Sequence, residues 1–549
     1  MKTKILLVIV LVIGAFLRFY KLGSTPNSYT PDELAQGYTA YSILNTGADE
    51  WGSTNWFNLR SFGDYKPPLQ TLLMIPSIKI FGLTPFAVRF PNALFSIFTL
   101  VLTYLIAQQL FKNYSISLLS TLFMAVSPWF LPMSRIALEA NLVIFIISLA
   151  TLLFLKASEN KSTLLYVLSS IFFGLSLFTY HSAKIFTPLY LVLLIFSQKT
   201  YRSKKLIVPI IFFSLFCLFN LYQNKQIKIN RTGDIAIFNP TDNWQHVSNS
   251  QFEMTQNGFP RLVTRAFYNK LVYIFETFSQ SYFSYFSPQF LLTTGAGETT
   301  YGMIPGFGVL GIIPFFGLIL SLILLLQKKE IKHSPTLIFL FITILITPSI
   351  AAIAKGQYSG NRVSLMMPFL QIISAYGLVT VLNIISNKFR FSFILALTFI
   401  FTFFSLTFLV RYFYQGNQIL SQGMLYGHKE VSEFIKKLPS DQIIYSRKLS
   451  EPQAYVTFFQ QIDPKITQAN STNWLEYESK KLLFLDQLGE YSLDKFIFRE
   501  INIPSDSQLP NALIIGRPEE FRDVKPDYTI YYPNSSKQEA SIYIYNTDK

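Results

Sequence analysis

The sequence has little of what soluble proteins use to fold, to bind metals or to bind nucleic acid. Among 549 residues it has one cysteine and four histidines, and 14% of residues are charged, against about 25% in an average globular chain. A single cysteine excludes a disulfide scaffold, and 50% hydrophobic residues exclude a disordered chain. No Walker-type loop or dinucleotide fingerprint opens a helix, so nothing supports ATP-driven or nicotinamide chemistry.

Long apolar runs are what the sequence has instead, and its mean hydropathy is +0.34. Eleven runs are long enough to cross about 30 Å of hydrocarbon. They cover residues 5–20, 86–111, 115–133, 138–155, 163–180, 183–198, 206–223, 303–327, 335–354, 364–385 and 390–412. The net charge of +15 resides largely in short basic loops between the runs, which favours a membrane surface over nucleic acid as the partner.

One further apolar stretch, Pro68 to Gly82, is short and contains Pro76 and Lys79. Counting it as a span would place the basic cluster from Lys199 to Lys205 outside, against the rule that basic loops stay in the cytoplasm. We therefore predict an interfacial or re-entrant helix on the outer face.

The predicted fold is an all-α polytopic membrane bundle of about eleven transmembrane helices, followed by a small extracytoplasmic α/β domain. The bundle covers residues 1–413, with a cytoplasmic N-terminus and outer loops at 21–85 and 223–302. Residues 414–549 are more polar and carry short apolar strands such as 442–445, 482–485 and 542–545. Their length is normal for a domain.

Ionisable residues collect at the ends of the runs that this topology places outside, where burying a charge costs at least a few kcal/mol. The candidate site residues are Asp32, Glu33, Lys66, Arg135, Glu139, His181, Lys184 and Arg362. Cations near carboxylates suit a phosphate-bearing substrate, because the cations hold the phosphate while a carboxylate takes a proton from an attacking group. The outer face has no nucleotide sugars, so an activated sugar there would arrive on a lipid carrier.

The order of these features resembles the GT-C type membrane glycosyltransferases, specifically the protein mannosyltransferase and aminoarabinose transferase relatives called glycosyltransferase family 39. The resemblance covers roughly residues 5–412 and depends on the order of several short motifs. They are Asp32-Glu33, Lys66-Pro67-Pro68-Leu69 before an amphipathic helix, Arg89-Phe90-Pro91, Ser134-Arg135, and Tyr282 to Pro288 before a glycine-rich entry to the next span.

The resemblance implies a polyprenyl-phosphate sugar donor and inversion at the anomeric carbon by direct displacement. Asp32 matches the family's catalytic aspartate, the general base on the acceptor, and Lys66 matches the lysine that holds the lipid phosphate. Glu33 is the neighbouring acid of the same pair, and Glu139 stands where many relatives have aspartate. We expect sugar transfer to a protein, lipid or glycan on the outer face of the cell membrane. No cofactor is required, and a divalent metal is allowed but not indicated.

The residues of the first outer loop also have structural interpretations. Asp32 and Glu33 fit an ordinary helix start with acids in the first turn. Lys66 fits a solvated lysine that covers apolar surface with its stem. The coincidence of both motifs favours catalysis.

The later candidates have comparable alternatives. Arg135 and Glu139 lie four residues apart and fit a structural pair on a helix. His181 fits a hydrogen-bonded residue at a helix end, whereas Lys184 is a candidate phosphate contact. Arg362 fits either phosphate binding or anchoring at the membrane interface.

Three other functions compete with sugar transfer to an acceptor. A polymerase or ligase of lipid-linked glycans shares the carrier chemistry. A transporter or lipid flippase would carry ionisable groups near the bilayer midplane and two pseudo-symmetric halves, whereas the charges here crowd at outer ends. An inactive relative would act as a scaffold through the outer tail.

Overall fold

The computed structural model describes residues 2–61, 65–225, 236–327, 333–356, 358–438, 440–480, 482, 484–522, 524–533 and 538–548. The first three quarters of the described chain are mostly helical. The helices up to the last apolar run are α1 Lys2–Phe19, α2 Pro31–Thr46, α3 Pro68–Phe81, α4 Pro85–Phe111, α5 Tyr114–Ala125, α6 Phe130–Met133, α7 Glu139–Asn160, α8 Thr163–Ser176, α9 Ala183–Ser197, α10 Ile207–Lys225, α11 Pro240–Gln256, α12 Arg261–Phe267, α13 Lys270–Ser284, α14 Ile312–Leu326, α15 Ser334–Ala351, α16 Met367–Ile384 and α17 Asn387–Val410.

Within the described ranges, six helical segments are long and apolar enough to cross a membrane. They are Pro85–Phe111, Glu139–Asn160, Lys204–Lys225, Ser334–Ala351, Ser364–Ile384 and Asn387–Leu420. Five shorter apolar helices, α3, α5, α8, α9 and α14, accompany them. The chain is therefore a multi-pass membrane protein with a mostly helical bundle, as the sequence predicted. The count of eleven spans and their orientation stay predictions.

The segment that the sequence predicts to be the first outer loop lies between α1 and α4. Helix α2 begins after Thr30, whose side chain accepts the backbone N–H of Glu33, and Pro31 occupies the first helical turn. The strands β1 Leu59–Arg60 and β2 Tyr65–Lys66 pair antiparallel. Helix α3 has 14 residues, or about 21 Å at 1.5 Å per residue, which is shorter than the hydrocarbon core.

The last long helix extends past residue 413, where the sequence predicts the end of the bundle. Helix α17 continues through a π turn at Arg411–Gln415 into α18 Gly416–Leu420. The change in composition therefore marks the place where the helix becomes polar, and the helix itself ends later. The two-domain division stays a prediction.

The remaining chain forms a six-stranded mixed sheet in the order β4-β5-β3-β6-β8-β7. The strand β3 is parallel to both β5 and β6, and the outer pairs are antiparallel. The elements are α19 His428–Ile435, β3 Gln442–Ser446, α20 Pro452–Phe459, α21 Pro464–Trp474, α22 Glu476–Ser479, β4 Tyr491–Leu493, β5 Phe496–Arg499, α23 Ile503–Asp506, β6 Ala512–Gly516, β7 Tyr528–Tyr531 and β8 Ala540–Asn546.

Alternating side chains of β3 enter two different cores, as the period of a strand requires. Ile443 and Tyr445 join a core that also contains Leu34 and Tyr38 of α2. Ile444 joins a separate core on the opposite face of the sheet. The apolar side of α2 is therefore covered by the C-terminal sheet and its helices.

Candidate active site

The acidic pair at the start of α2 is divided between two roles. The Lys66 Nζ atom lies 2.9 Å from Asp32 Oδ1, and the two side chains are 16% and 37% exposed. Asp32 sits in the first turn of α2, and Lys66 ends β2 directly before Pro67 and Pro68. The structure thus brings together the two residues that the sequence predicts as base and phosphate ligand, although they are 34 positions apart.

Glu33, the second acid of the pair, lies in the protein interior with 1% of its surface exposed. Arg89 of α4 donates to both of its carboxylate oxygens, from Nε at 3.0 Å and from the terminal nitrogen at 2.7 Å. The same carboxylate accepts the backbone N–H of Thr30, completing a capping box. This geometry favours the structural interpretation for Glu33, which fixes the helix on which Asp32 is mounted.

Arg135 is also buried, and it donates to backbone carbonyls in the last turn of α1 and in the segment that follows it. Its guanidinium donates to the carbonyl oxygens of Leu17 at 2.7 Å, Arg18 at 2.8 Å and Thr25 at 2.8 Å. Carbonyls at a helix C-terminus lack partners inside the helix, so a cation there satisfies them. The structure therefore places Arg135 as a clamp on α1, which favours a structural role over the predicted contact with substrate.

Glu139 is the first residue of α7 and contacts α2. Gln36, one turn after Asp32 on α2, donates to Glu139 Oε1 at 2.9 Å. Arg135 precedes α7, so the two residues do not form the helix pair that their spacing allowed. Glu139 is thereby linked to the helix that carries Asp32.

Lys66 opens onto a groove that combines polar nitrogens with apolar rings, and we call it the lysine groove. Phe57, Tyr65, Leu177, Phe178, His181 and Lys184 line it together with Lys66. Lys184 Nζ donates to Asn224 Oδ1 at 3.1 Å. The structure thus gathers three predicted residues, Lys66, His181 and Lys184, around one groove.

Arg362 lies on a separate segment, where its guanidinium donates to the Lys355 carbonyl at 3.1 Å, close to a carboxyl group that the sequence did not single out. Glu298 Oε2 accepts the backbone N–H of Gly360 at 2.8 Å. A Cβ at Gly360 would lie only 3.3 Å from Glu298 Oε2 and 3.1 Å from Trp129 Nε1, so glycine permits this approach. Burial raises the pKa of Glu298 to about 7, although the Gly360 N–H and the Arg362 charge oppose the shift.

Tyr301 lies within the same electrostatic field. Burial raises the pKa of Tyr301 to about 12, and the negative charges of Asp32 and Glu298 reinforce the shift while Lys66 opposes it. The Tyr301 phenol therefore stays protonated at neutral pH, as a hydrogen-bond donor beside the acids and Lys66.

Glu298 and Tyr301 are the residues that sequence reasoning missed. They lie in a glycine-rich stretch, residues 295–302, just before the segment that leads into α14. The sequence identified this stretch only as a glycine-rich entry to a span. A lone acid between Gly297 and Thr299 was the available signal.

The described part of the chain holds no group of three or more His, Cys, Asp or Glu side chains arranged for a metal ion. Asp32 and Glu33 form ion pairs with different cations, Lys66 and Arg89.

A model of a known family matches part of the chain. Residues 65–222 match the family model described as dolichyl-phosphate-mannose-protein mannosyltransferase. A segment of 182 residues is 31% identical to an uncharacterized protein from Aquifex aeolicus (strain VF5), covering 33% of this chain and 34% of that protein. The matched part thus spans about a third of that relative.

The fold is shared over almost the whole chain with a solved structure. The crystal structure of ArnT from Cupriavidus metallidurans bound to undecaprenyl phosphate aligns with a TM-score of 0.55 at 11% identity, covering 98% of this chain and 97% of that one. Its apo form aligns with the same TM-score at 12% identity. The family match, which includes Lys66-Pro67-Pro68, and this shared fold confirm the resemblance to the GT-C type membrane glycosyltransferases.

Proposed function

We propose that this protein transfers a sugar from a polyprenyl-phosphate carrier to an acceptor at the outer face of the membrane, with inversion at the anomeric carbon. The observation that carries the proposal is the 2.9 Å contact between Asp32 and Lys66, the lysine that also lines the lysine groove. The contact places the base and the phosphate ligand at one site in the free protein. In an inverting displacement the two groups act on opposite sides of the anomeric carbon, so the contact opens when donor and acceptor enter between them; the two carboxyl groups of inverting glycosidases are about 6.5–9.5 Å apart. The family match to lipid-phosphate-dependent mannosyltransferases supports the same chemistry.

The residues that line the lysine groove match the chemistry of the donor's head group and of the first part of its lipid. Lys66 and Lys184 supply positive charge for a phosphate, which lysine binds as a point charge. Phe57, Leu177 and Phe178 supply the apolar surface for an isoprenoid chain. One groove therefore offers both halves of a polyprenyl phosphate their preferred surroundings.

The reaction assigned to this geometry is a single displacement. The Asp32 carboxylate takes the proton of the acceptor nucleophile, which attacks the anomeric carbon of the donor. The bond from that carbon to the phosphate oxygen breaks, and the oxygen keeps the electron pair. Lys66 stabilises the polyprenyl phosphate that leaves. In the free protein Lys66 contacts Asp32, so a bound phosphate competes with Asp32 for the lysine and releases the carboxylate to act as base.

We assign Glu298 to the acceptor side of the site and Arg362 to its rim. The Gly360 N–H bond to Glu298 holds the segment that carries Arg362.

A glycan polymerase or ligase uses the same donor chemistry, so it differs only in the acceptor. Product analysis by mass spectrometry separates these two enzymes.

The proposal is tested by binding of undecaprenyl phosphate to the purified full chain in lipid nanodiscs, with Lys66→Ala as the variant. Loss of a charge-assisted hydrogen bond to phosphate costs about 1.5–3 kcal/mol, so we expect Kd to rise by about tenfold or more. Lys79→Ala is the matched control, since Lys79 lies exposed near the end of the neighbouring helix α3.

An unchanged Kd in Lys66→Ala would remove the phosphate role of Lys66. Counterflow of the lipid in proteoliposomes, without any sugar transfer from a polyprenyl-phosphate sugar, would instead support a flippase. Transfer of the sugar with release of polyprenyl phosphate supports the proposed reaction.

A further inference from the structure

Lys66 is held on a very short ribbon. Strands β1 and β2 contribute two residues each, with Leu59 paired to Lys66 and Arg60 paired to Tyr65. A two-stranded ribbon is only marginally stable on its own. The position of the Lys66 ammonium therefore depends on what holds the ribbon from outside.

The two faces of the ribbon have different neighbours. Directly opposed residues of an antiparallel pair share one face, and successive residues point to opposite faces. Arg60 and Tyr65 thus share one face, where the Arg60 guanidinium lies 5.5 Å from the centre of the Tyr65 ring. Lys66 and Leu59 occupy the other face, where Lys66 meets Asp32. Any shift of the Arg60 face moves Lys66 relative to its partner.

The Arg60 face is attached to the C-terminal part of the chain. Arg60 forms an ion pair with Glu478 of α22, and the two side chains are 13% and 17% exposed. The guanidinium also lies 5.0 Å from the centre of the Trp51 ring. Trp51 in turn packs edge-on against Trp474, with ring centres 5.5 Å apart. The ion pair is thus the polar part of a contact between the first outer loop and α21–α22.

A second contact fixes the same two parts independently of the ribbon. The Gln468 side-chain amide of α21 donates to Ser42 Oγ at 3.1 Å, to Thr46 Oγ1 at 2.8 Å and to the Asp49 carbonyl at 2.9 Å. These bonds tie α21 to the end of α2. Because α21 leads directly into α22, these bonds also fix Glu478, the partner of Arg60, relative to the helix that carries Asp32.

We propose that Arg60 and Glu478 are positioning residues through which the C-terminal part holds Lys66 in register with Asp32 for the donor phosphate. The inference rests on the proposed function and extends it by giving the C-terminal part a role in donor binding. Neither residue lines the lysine groove in the described chain, so both act through Lys66. Misplacing a binding group by about 1 Å from a distance costs up to about a hundredfold in rate.

The burial of this pair distinguishes it from other ion pairs nearby. Lys480 and Glu476 are bonded at 2.9 Å but are 52% and 56% exposed. Exposed pairs contribute little, whereas removing one partner of a largely buried pair leaves a charge uncompensated and perturbs its surroundings. The Glu476 pair, two residues away on the same helix, is therefore a matched control.

The test measures Kd for undecaprenyl phosphate in the full chain for Glu478→Gln, Lys66→Ala and the double variant, with Glu476→Gln as control. We expect Glu478→Gln to raise Kd about tenfold, as the loss of one charge-assisted contact allows. In the Lys66→Ala background the same substitution should change Kd less than about twofold, because its effect passes through Lys66. Glu476→Gln should leave Kd unchanged.

Several results would overturn the inference. If Lys66→Ala weakens binding but Glu478→Gln does not, Glu478 is not a positioning residue and the proposed function stands. If both substitutions weaken binding additively, Glu478 acts elsewhere than through Lys66. If Lys66→Ala itself has no effect, the donor-binding role of Lys66 fails. Should Glu478→Gln yield no folded protein, Arg60→Lys, which keeps the charge and loses the forked geometry, serves in the same cycle.

Discussion

Replacing Asp32 by asparagine separates the two functions that the ion pair combines. Asparagine keeps the shape of aspartate but has no carboxylate to take the acceptor's proton. The Lys66 ammonium loses its anionic partner 2.9 Å away and becomes more available to a phosphate. We therefore expect Asp32→Asn to abolish transfer without weakening donor binding.

Asp32→Asn should lower the transfer rate strongly and lower Kd for undecaprenyl phosphate slightly. Loss of a general base typically lowers the rate by about 10²–10⁴-fold. Asp32 is 37% exposed, so the ion pair that the phosphate must break is worth no more than about 1 kcal/mol. Since 1.4 kcal/mol corresponds to tenfold, Kd for undecaprenyl phosphate should fall by at most about fivefold in the variant.

The assay combines single-turnover transfer from a polyprenyl-phosphate sugar with equilibrium binding of undecaprenyl phosphate, using the same purified preparation. Asp441→Asn, an exposed acid ahead of β3, is the control that should change neither quantity. Transfer at the parent rate in Asp32→Asn would refute the assignment of the base. A large rise in Kd would show that Asp32 helps to bind the donor, which would refute the competition for Lys66.

Three further predictions concern stability and topology. Glu33→Gln should destabilise the fold by about 3 kcal/mol, because it leaves the Arg89 charge buried without its carboxylate, and thermal unfolding in detergent measures this loss. Glu298 has its pKa raised from 4.5 to about 7, so the folded protein holds that proton more tightly than the unfolded chain. The folded protein therefore loses stability as pH rises from about 4.5 to 7. The Tm of Glu298→Gln, which cannot titrate, should rise relative to that of the parent across this pH window. In a chain lacking Cys217, cysteine at Lys79 should react with an impermeant maleimide added to intact cells, whereas cysteine at Arg202 should not.

Each of these predictions has a contradicting result. An unchanged Tm in Glu33→Gln would show that its carboxylate is not required by Arg89. A constant Tm difference between pH 4.5 and 7 would mean that Glu298 titrates like an exposed acid. Labelling at Arg202 but not at Lys79 would invert the proposed orientation, and the site would then face the cytoplasm.

Much of the fold could be predicted from the sequence, because a helix that crosses the hydrocarbon core of a membrane needs an apolar run of about 20 residues. The apolar runs beginning near residues 86, 138 and 364 appear as the long helices α4, α7 and α16. The strands around 442–445 and 542–545 are also present, as β3 and β8. The apolar residues 482–485 form no strand where the chain is described, because Leu485 instead begins a 3₁₀ turn and is buried in the shared core.

The site was less accessible because adjacent residues point in different directions. Asp32 and Glu33 are equivalent in sequence, but the capping box turns Glu33 toward Arg89 and leaves Asp32 for Lys66. Arg135 has the residue type of a phosphate ligand and is instead engaged by backbone carbonyls. Glu298 is a candidate site residue only because it is buried against Gly360. This contact joins two separate segments, so no local sequence pattern predicts it.

The core that α2 shares with the C-terminal sheet limits how such a protein can be recombined. The apolar side of α2 is completed by β3 and its neighbours, and Tyr455 donates to the Tyr29 carbonyl just ahead of the helix. A chimaera that exchanges the C-terminal part alone would leave α2 facing a foreign surface. The segment between α1 and α4 and the C-terminal part therefore have to be exchanged together in any chimaera.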